Sequence, residues 1–303
     1  MWVRATAQLS ENVYQVTNPI SSHMIVCGEQ IGIVDSGIAA FGDSLSRQLS
    51  ELMSDGAALD YIFLTHCHFD HLGGVPALRK AAPKARLVTS SQAAEKLSDG
   101  AFLEELYKKN LSIKEAFSDS EVCSEQEWKS AFTVDRVVND GDTIEMGGGL
   151  IIKVFACPGH TSEQVAYFVP SDGALAGAEA FGAYYGRDKV VPSFGSSFKD
   201  YIDSLERVTR LEVKIIGLPH NGALSGDLAQ KFLITSRLEA ERFFTSIKER
   251  LTSGELLDEI VLSVLPDWRI DNICPEGPFV AEQEKSLRDL VEAVVRDKPS
   301  QEN

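Results

Sequence analysis

Three of the six histidines fall within six residues, His66-Cys67-His68-Phe69-Asp70-His71, directly after the apolar run 60–65. That run is short and rich in β-branched and aromatic side chains, which predicts a buried strand. Imidazole and carboxylate are natural ligands for zinc and related borderline cations. Where the chain leaves the strand, His66 and His68 can face the same way. Asp70 and His71 come from the following turn and can address a second ion. Cys67, lying between two ligand positions, is turned away by alternation and reads as packing. His160 and His220 also follow apolar runs, 150–158 and 213–219. A lone histidine is more often a surface or capping group, and His23 is read that way.

Around these stations helix and strand patterns alternate. Residues 11–35 read as a strand series, and 39–52 as a helix with Phe41, Leu45 and Leu49 on one face. Helical patterns follow at 72–80, 91–98, 101–110 and 199–211, and strand patterns at 85–90, 150–158, 163–169, 174–179 and 213–220. Region 112–134 has no clear pattern, while 180–197, rich in Gly, Tyr, Phe and Ser, reads as a functional loop. The alternation up to residue 220 predicts a layered α/β domain. Beyond 227 the stretches 228–250, 253–264 and 281–297 read as helices, with a proline-containing break at 266–278. Leu228, Phe232, Leu238, Phe243 and Ile247 recur near the helical period. About 75 residues would make a thin core alone, so these helices are expected to pack on the main domain.

Thr65-His66-Cys67-His68-Phe69-Asp70-His71-Leu72-Gly73-Gly74 resembles the THxHxDHxGG signature of the metallo-β-lactamase superfamily. Gly-Ile-Val-Asp35-Ser-Gly, Pro158-Gly159-His160-Thr161 and Gly-Leu-Pro-His220-Asn-Gly resemble further stations of that family, in order, over roughly residues 10–225. The resemblance implies an α/β fold, an αββα sandwich with a C-terminal helical extension. With the change of pattern beyond 227, the chain divides into an expected catalytic domain, 1–226, and a helical extension packed on it, 227–303. It further implies a first metal site of His66, His68 and His160, and a second of Asp70, His71 and His220. The family usually bridges its two ions with an Asp after a Gly; aligning the run 174–181 puts Glu179 there and Ala178 at the Gly. Two divalent ions are implied, zinc foremost, with iron or manganese as alternatives. Two ions about 3.5–4 Å apart can share a water and make it hydroxide at neutral pH. Asp70 could orient that nucleophile as well as bind metal. Asp35 is either support for a ligand imidazole or an ordinary turn cap.

Composition narrows the substrate. A net charge of −16 disfavours nucleic acid and anionic membranes as partners. Neither a P-loop nor a GxGxxG signature is present. A flavin-linked redox role is disfavoured, because that branch would carry a Glu at the position of His68 and an added domain. The expected function is hydrolysis of a small ester, lactone or thioester. The alternatives are a phosphodiesterase, or a catalytically weak metal-containing sensor or partner-binding protein. Phe181, Tyr184, Tyr185, Phe194 and Phe198 are either the pocket lining or core contacts. Five cysteines without a CxxC pair suggest a reducing compartment, and no signal-peptide pattern or long apolar run is seen. A cytoplasmic protein is expected, with self-association left open.

Overall fold

The structure, a computed structural model, describes residues 1–53, 58–115, 117, 122–186, 189–268 and 278–297. Among these, two seven-stranded sheets lie face to face. The first runs in space through Ala7–Gln8, Val13–Thr17, Ser22–Cys27, Ile31–Val34, Tyr61–Phe63, Arg86–Ser90 and Arg136–Val138. Its hairpin strands pair antiparallel as far as Ile31–Val34, and from there each pairing is parallel. Parallel neighbours need a crossover, and helices supply it here. The second sheet runs Trp2–Val3, Ala223–Ser225, Ile215–Gly217, Ala174–Ala176, Val165–Val169, Ile151–Ala156 and Thr143–Glu145. Its parallel pair, Ala174–Ala176 with Ile215–Gly217, spans the helix Phe198–Thr209.

Three apolar layers hold these parts together. Between the sheets lie Val26, Val34, Phe63 and Val88 from one side and Val154, Val165, Tyr167 and Ile215 from the other. The outer face of the first sheet is covered by helices that bury Leu45, Leu49, Leu78, Leu106 and Trp128. The outer face of the second is covered by Phe198–Thr209 and by the C-terminal helices Asp227–Thr252, Leu257–Trp268 and Pro278–Arg296. This is the αββα sandwich. Burial on both faces explains why Tyr61–Phe63 and Val165–Val169 read as continuous apolar runs. No helix among the described residues is long and apolar enough to cross a membrane.

Several local expectations shift. The unreadable stretch 112–134 holds the helix Glu125–Ala131, started by a capping box between Ser124 and Glu127 and anchored by buried Trp128. The helix expected at 72–80 is two pieces, Phe69–Leu72 and Val75–Ala81. Pro266 lies inside Leu257–Trp268 and opens no break; positions 269–277 of that expected break lie outside the described residues. Leu238 is half exposed, not core. The buried line of its helix runs through Phe232, Ser236, Ala240 and Ile247, and Leu238, two after Ser236, falls on the opposite side.

The C-terminal helices share one core with the second sheet. Leu287, Leu290, Val291 and Val294 belong to the same buried cluster as Leu175, Phe194, Ile216 and Phe232. Ending the chain after residue 226 should therefore expose the outer face of that sheet. The truncated protein is expected to bind a hydrophobic dye and to aggregate on size-exclusion chromatography. A monodisperse truncation product melting at the parent temperature would show that the helices contribute nothing to the fold.

Candidate metal centre

The expected ligands come from both sheets and converge at one edge of the sandwich. His66 follows Tyr61–Phe63, His160 follows Ile151–Ala156, Glu179 follows Ala174–Ala176 and His220 follows Ile215–Gly217. The last three strands run in the same direction within their sheet, so their carboxyl ends open together. His68 is extended and precedes Phe69–Leu72, which carries Asp70 and His71. Close backbone approach makes this possible. A Cβ on Gly73 would stand 2.4 Å from the Ala39 amide nitrogen, and one on Gly74 would stand 2.4 Å from the Ser36 carbonyl. Ser36 answers by donating from its amide to the His71 carbonyl at 2.6 Å.

All seven expected ligand residues meet. His66, His68 and His160 form one group, Asp70, His71 and His220 another, and His66, His71 and Glu179 a third, each able to surround one ion. Within each group the ligand atoms lie within 4.8 Å of one another. His160 Nε2 is 3.0 Å from His68 Nδ1, and His220 Nε2 is 3.5 Å from Asp70 Oδ2. Glu179 stands between the groups. Its Oε2 is 3.2 Å from His71 Nε2, 3.8 Å from His160 Nε2 and 3.9 Å from His66 Nε2, and its Oε1 is 3.2 Å from His220 Nε2.

The second nitrogen of most of these rings is held from behind. His71 Nδ1 is 2.9 Å from Asp35 Oδ2, and His66 Nδ1 is 3.0 Å from Thr65 Oγ1, which donates to the same Asp35 oxygen at 2.8 Å. His160 Nδ1 meets the Ser193 hydroxyl at 2.8 Å, and His220 Nδ1 meets the Ile20 carbonyl at 2.7 Å. Outer partners of this kind fix the tautomer and aim the free nitrogen. Asp35 thus supports the His71 imidazole directly and that of His66 through Thr65. His23 is buried beside Ser21, 2.9 Å from its hydroxyl and outside the ligand groups. Cys67 faces the helical layer as expected.

Two features show that this donor set fits cations. His66 Nε2, His71 Nε2 and Glu179 Oε2 are buried and without a hydrogen-bond partner; the His71 and Glu179 atoms are close but not aligned for a bond. Uncompensated buried polar atoms cost about 1–3 kcal/mol each, so a point where three converge is built for something else. The charge states agree. Burial, reinforced by neighbouring imidazoles, holds His66, His68 and His160 in the neutral form that ligates, His68 at about 3. Burial also opposes charge on His71 and His220, but there the carboxylates win. Glu179, Asp70 and Asp35 raise His71, and Asp70 and Glu179 raise His220 to about 10. Asp70 and Glu179 are correspondingly held below the usual carboxylate range despite their burial. Ligation would exchange the protons on His71 and His220 for metal charge.

A cavity of about 490 Å³ opens in front of the centre. Of the five aromatics left open between pocket lining and core contact, Tyr185 lines it. Phe181, Tyr184 and Phe194 are buried in the core of the second sheet, and Phe198 packs against that core, stacked on Phe244 at 3.9 Å. The lining also includes Trp268, Glu282, Lys285 and Asp289 from the C-terminal helices, and Lys96, Lys109 and Glu163. None of these was marked as functional in the sequence. Glu163 follows His160 by three positions, which is a usable hint. Lys96 carries none, because its partner is 67 residues away.

A family model described as the metallo-beta-lactamase superfamily matches residues 18–220. The chain belongs to that superfamily, whose members are generally metal-dependent hydrolases. A metallo-beta-lactamase fold-containing protein of Sulfurisphaera tokodaii is 26% identical over 251 residues, covering 78% of this chain and 86% of its own. A hydroxyacylglutathione hydrolase of Rhodopseudomonas palustris is 29% identical over 147 residues, 48% of this chain and 44% of its own. A metallo-beta-lactamase family protein of Thermus thermophilus superposes with a TM-score of 0.63 at 17% identity, covering 95% of this chain and 94% of its own.

One ion pair beside the centre is open to a direct test. The Lys96 ammonium donates to Glu163 Oε2 at 2.7 Å, and Glu163 is buried. Burial alone would raise the Glu163 carboxyl, and Lys96 outweighs it and holds the carboxyl low. A depressed carboxyl contributes stability above its unfolded pKa, and that contribution is lost as pH falls through the folded value. Lys96→Met should therefore cost about 1–3 kcal/mol at pH 7, the lower end reflecting the half-exposed ammonium. The cost should shrink as Glu163 protonates. Urea melts of both proteins at neutral and acid pH check this; a pH-independent difference would assign the loss to packing.

Proposed function

We propose that this protein hydrolyses small esters, lactones or thioesters with two divalent ions, zinc foremost, held by His66, His68 and His160 and by Asp70, His71 and His220, with Glu179 shared. The observation that carries the proposal is the convergence of the unpartnered His66, His71 and Glu179 atoms, of which Glu179 lines the cavity together with His68, His160 and His220. Such ions, when bound, acidify water to the neutral range and draw electron density from an acyl oxygen. Asp70, 3.5 Å from His220 and lining the cavity, would orient a water at the centre. The cavity volume suits a small substrate, and Tyr185, Val191, Pro192 and Trp268 give it an apolar side for an acyl chain. Similarity to a hydroxyacylglutathione hydrolase supports the thioester branch.

Glu179 is where the reading is most exposed. Metal analysis of protein purified without chelator should find about two ions per chain. Glu179→Ala should retain the ion of the all-histidine site and weaken the other, with activity partly restored by added metal. Glu179→Asp should lie between wild type and Ala. Losing one methylene withdraws the carboxylate by about 1.5 Å from nitrogens it now approaches on two sides. Equal metal affinity and equal rates in all three proteins would remove Glu179 from the ligand set.

A further inference from the structure

The cavity wall has a chemical character that acyl hydrolysis alone does not require. It carries three lysines from three helices: Lys96 from Ser91–Ser98, Lys109 from Gly100–Lys114 and Lys285 from Pro278–Arg296. Two are held in place. Lys96 is bound to Glu163, and Lys109 donates to Glu282 Oε2 at 2.7 Å while standing 4.3 Å over the Phe69 ring. An ammonium has three donors, and each of these spends one on its carboxylate. Lys285 is exposed and has no ion-pair partner among the described residues.

The acidic groups on the same wall are otherwise engaged. Asp70 and Glu179 face the imidazoles, and Glu163 and Glu282 face the two fixed lysines. That leaves Asp289, one helical turn beyond Lys285. It is half-buried, with its Cβ lying close to Gly195, and burial raises its carboxyl although Lys285 acts the other way. Among the charged groups lining the cavity, the exposed one outside the ion pairs of the described residues is the Lys285 ammonium.

We infer that the acyl substrates of this site carry a carboxylate remote from the scissile bond, and that Lys285 receives it, with the spare donors of Lys96 and Lys109 lining the same cavity. The inference rests on the hydrolytic reading above and narrows its substrate class. Anchoring one end on the helix Pro278–Arg296 leaves the acyl carbon to reach the histidines at the cavity floor. A charge-assisted hydrogen bond in a partly desolvated cavity changes affinity by roughly tenfold to a hundredfold.

The test compares two esters with one leaving group, an aryl butyrate and a monoaryl glutarate, on the metal-loaded full chain. The glutarate should have the higher kcat/KM by about tenfold or more, mostly through KM. That ratio should fall toward one in Lys285→Ala, survive largely in Lys285→Arg, and persist in Lys84→Ala, an exposed lysine off the cavity wall. Equal kcat/KM for the two esters, or a ratio untouched by Lys285→Ala, would overturn the assignment and leave hydrolysis standing. If neither ester, nor a matched thioester or lactone, turns over, the hydrolytic reading fails, and calorimetry on the free acids decides. Tighter binding of glutarate than butyrate, lost in Lys285→Ala, would uphold the anion subsite; equal affinity would end it.

Discussion

The carboxylate of Asp35 ties the centre to the fold. One oxygen accepts the Thr65 amide at 2.9 Å; the other accepts the Thr65 hydroxyl and meets His71 Nδ1. The residue is buried and sits at φ 58°, a left-handed conformation that a non-glycine residue adopts at a cost. That conformation turns the side chain of a residue just past Ile31–Val34 across the ends of the sheet, onto the segment leaving Tyr61–Phe63. A single buried anion thereby aims His71 directly and His66 through Thr65. Its burial is tolerable because every bond it makes is to a donor.

The remaining ligands depend on the second sheet, so the centre exists only when the two sheets are packed. His66, His68, Asp70 and His71 belong to one half of the sandwich, and His160, Glu179 and His220 to the other. The apolar layer between the sheets therefore sets the spacing of the ligands. The C-terminal helices add a third contribution. They bury the outer face of the second sheet and also place Trp268, Glu282 and Lys285 on the cavity wall. The Lys109–Glu282 pair joins a helix over the first sheet to one over the second, across the opening that both line.

Legibility in the sequence followed the range of the interaction. The His66–His71 cluster, the stations at His160 and His220 and the alternation of elements are local patterns, and the structure brings those residues together. Glu179 was reachable only by aligning a short apolar run, yet it faces the other ligands. Asp35 was ambiguous because a turn cap and a buried support look alike until the Thr65 and His71 contacts are known. The aromatics of 181–198 stayed ambiguous because aromatic content does not encode direction: Tyr185 faces the cavity, while its neighbour Tyr184 packs edge-on against Trp2. Lys96, Lys109 and Lys285 are surface-type residues on amphipathic helices, and only the packing of distant helices makes them a wall.

The turn bearing Glu179 explains why its departure from the family pattern is a linked pair of changes. Ala178, where a glycine is usual, sits at φ 47° and is buried, so its methyl is held in a conformation glycine adopts freely. The preceding Gly177 cannot carry a side chain, since a Cβ there would stand 2.7 Å from the Phe181 ring. Phe181 is itself buried against the second sheet, so the turn Ala178–Phe181 is pinned at both ends. The backbone thus has little freedom to approach the histidines, and reach must come from the side chain. Glu179 provides it, with one oxygen toward His71 and the other toward His220. An aspartate on this pinned turn would leave that space unspanned, so the extra methylene is what lets the carboxylate stand between His71 and His220.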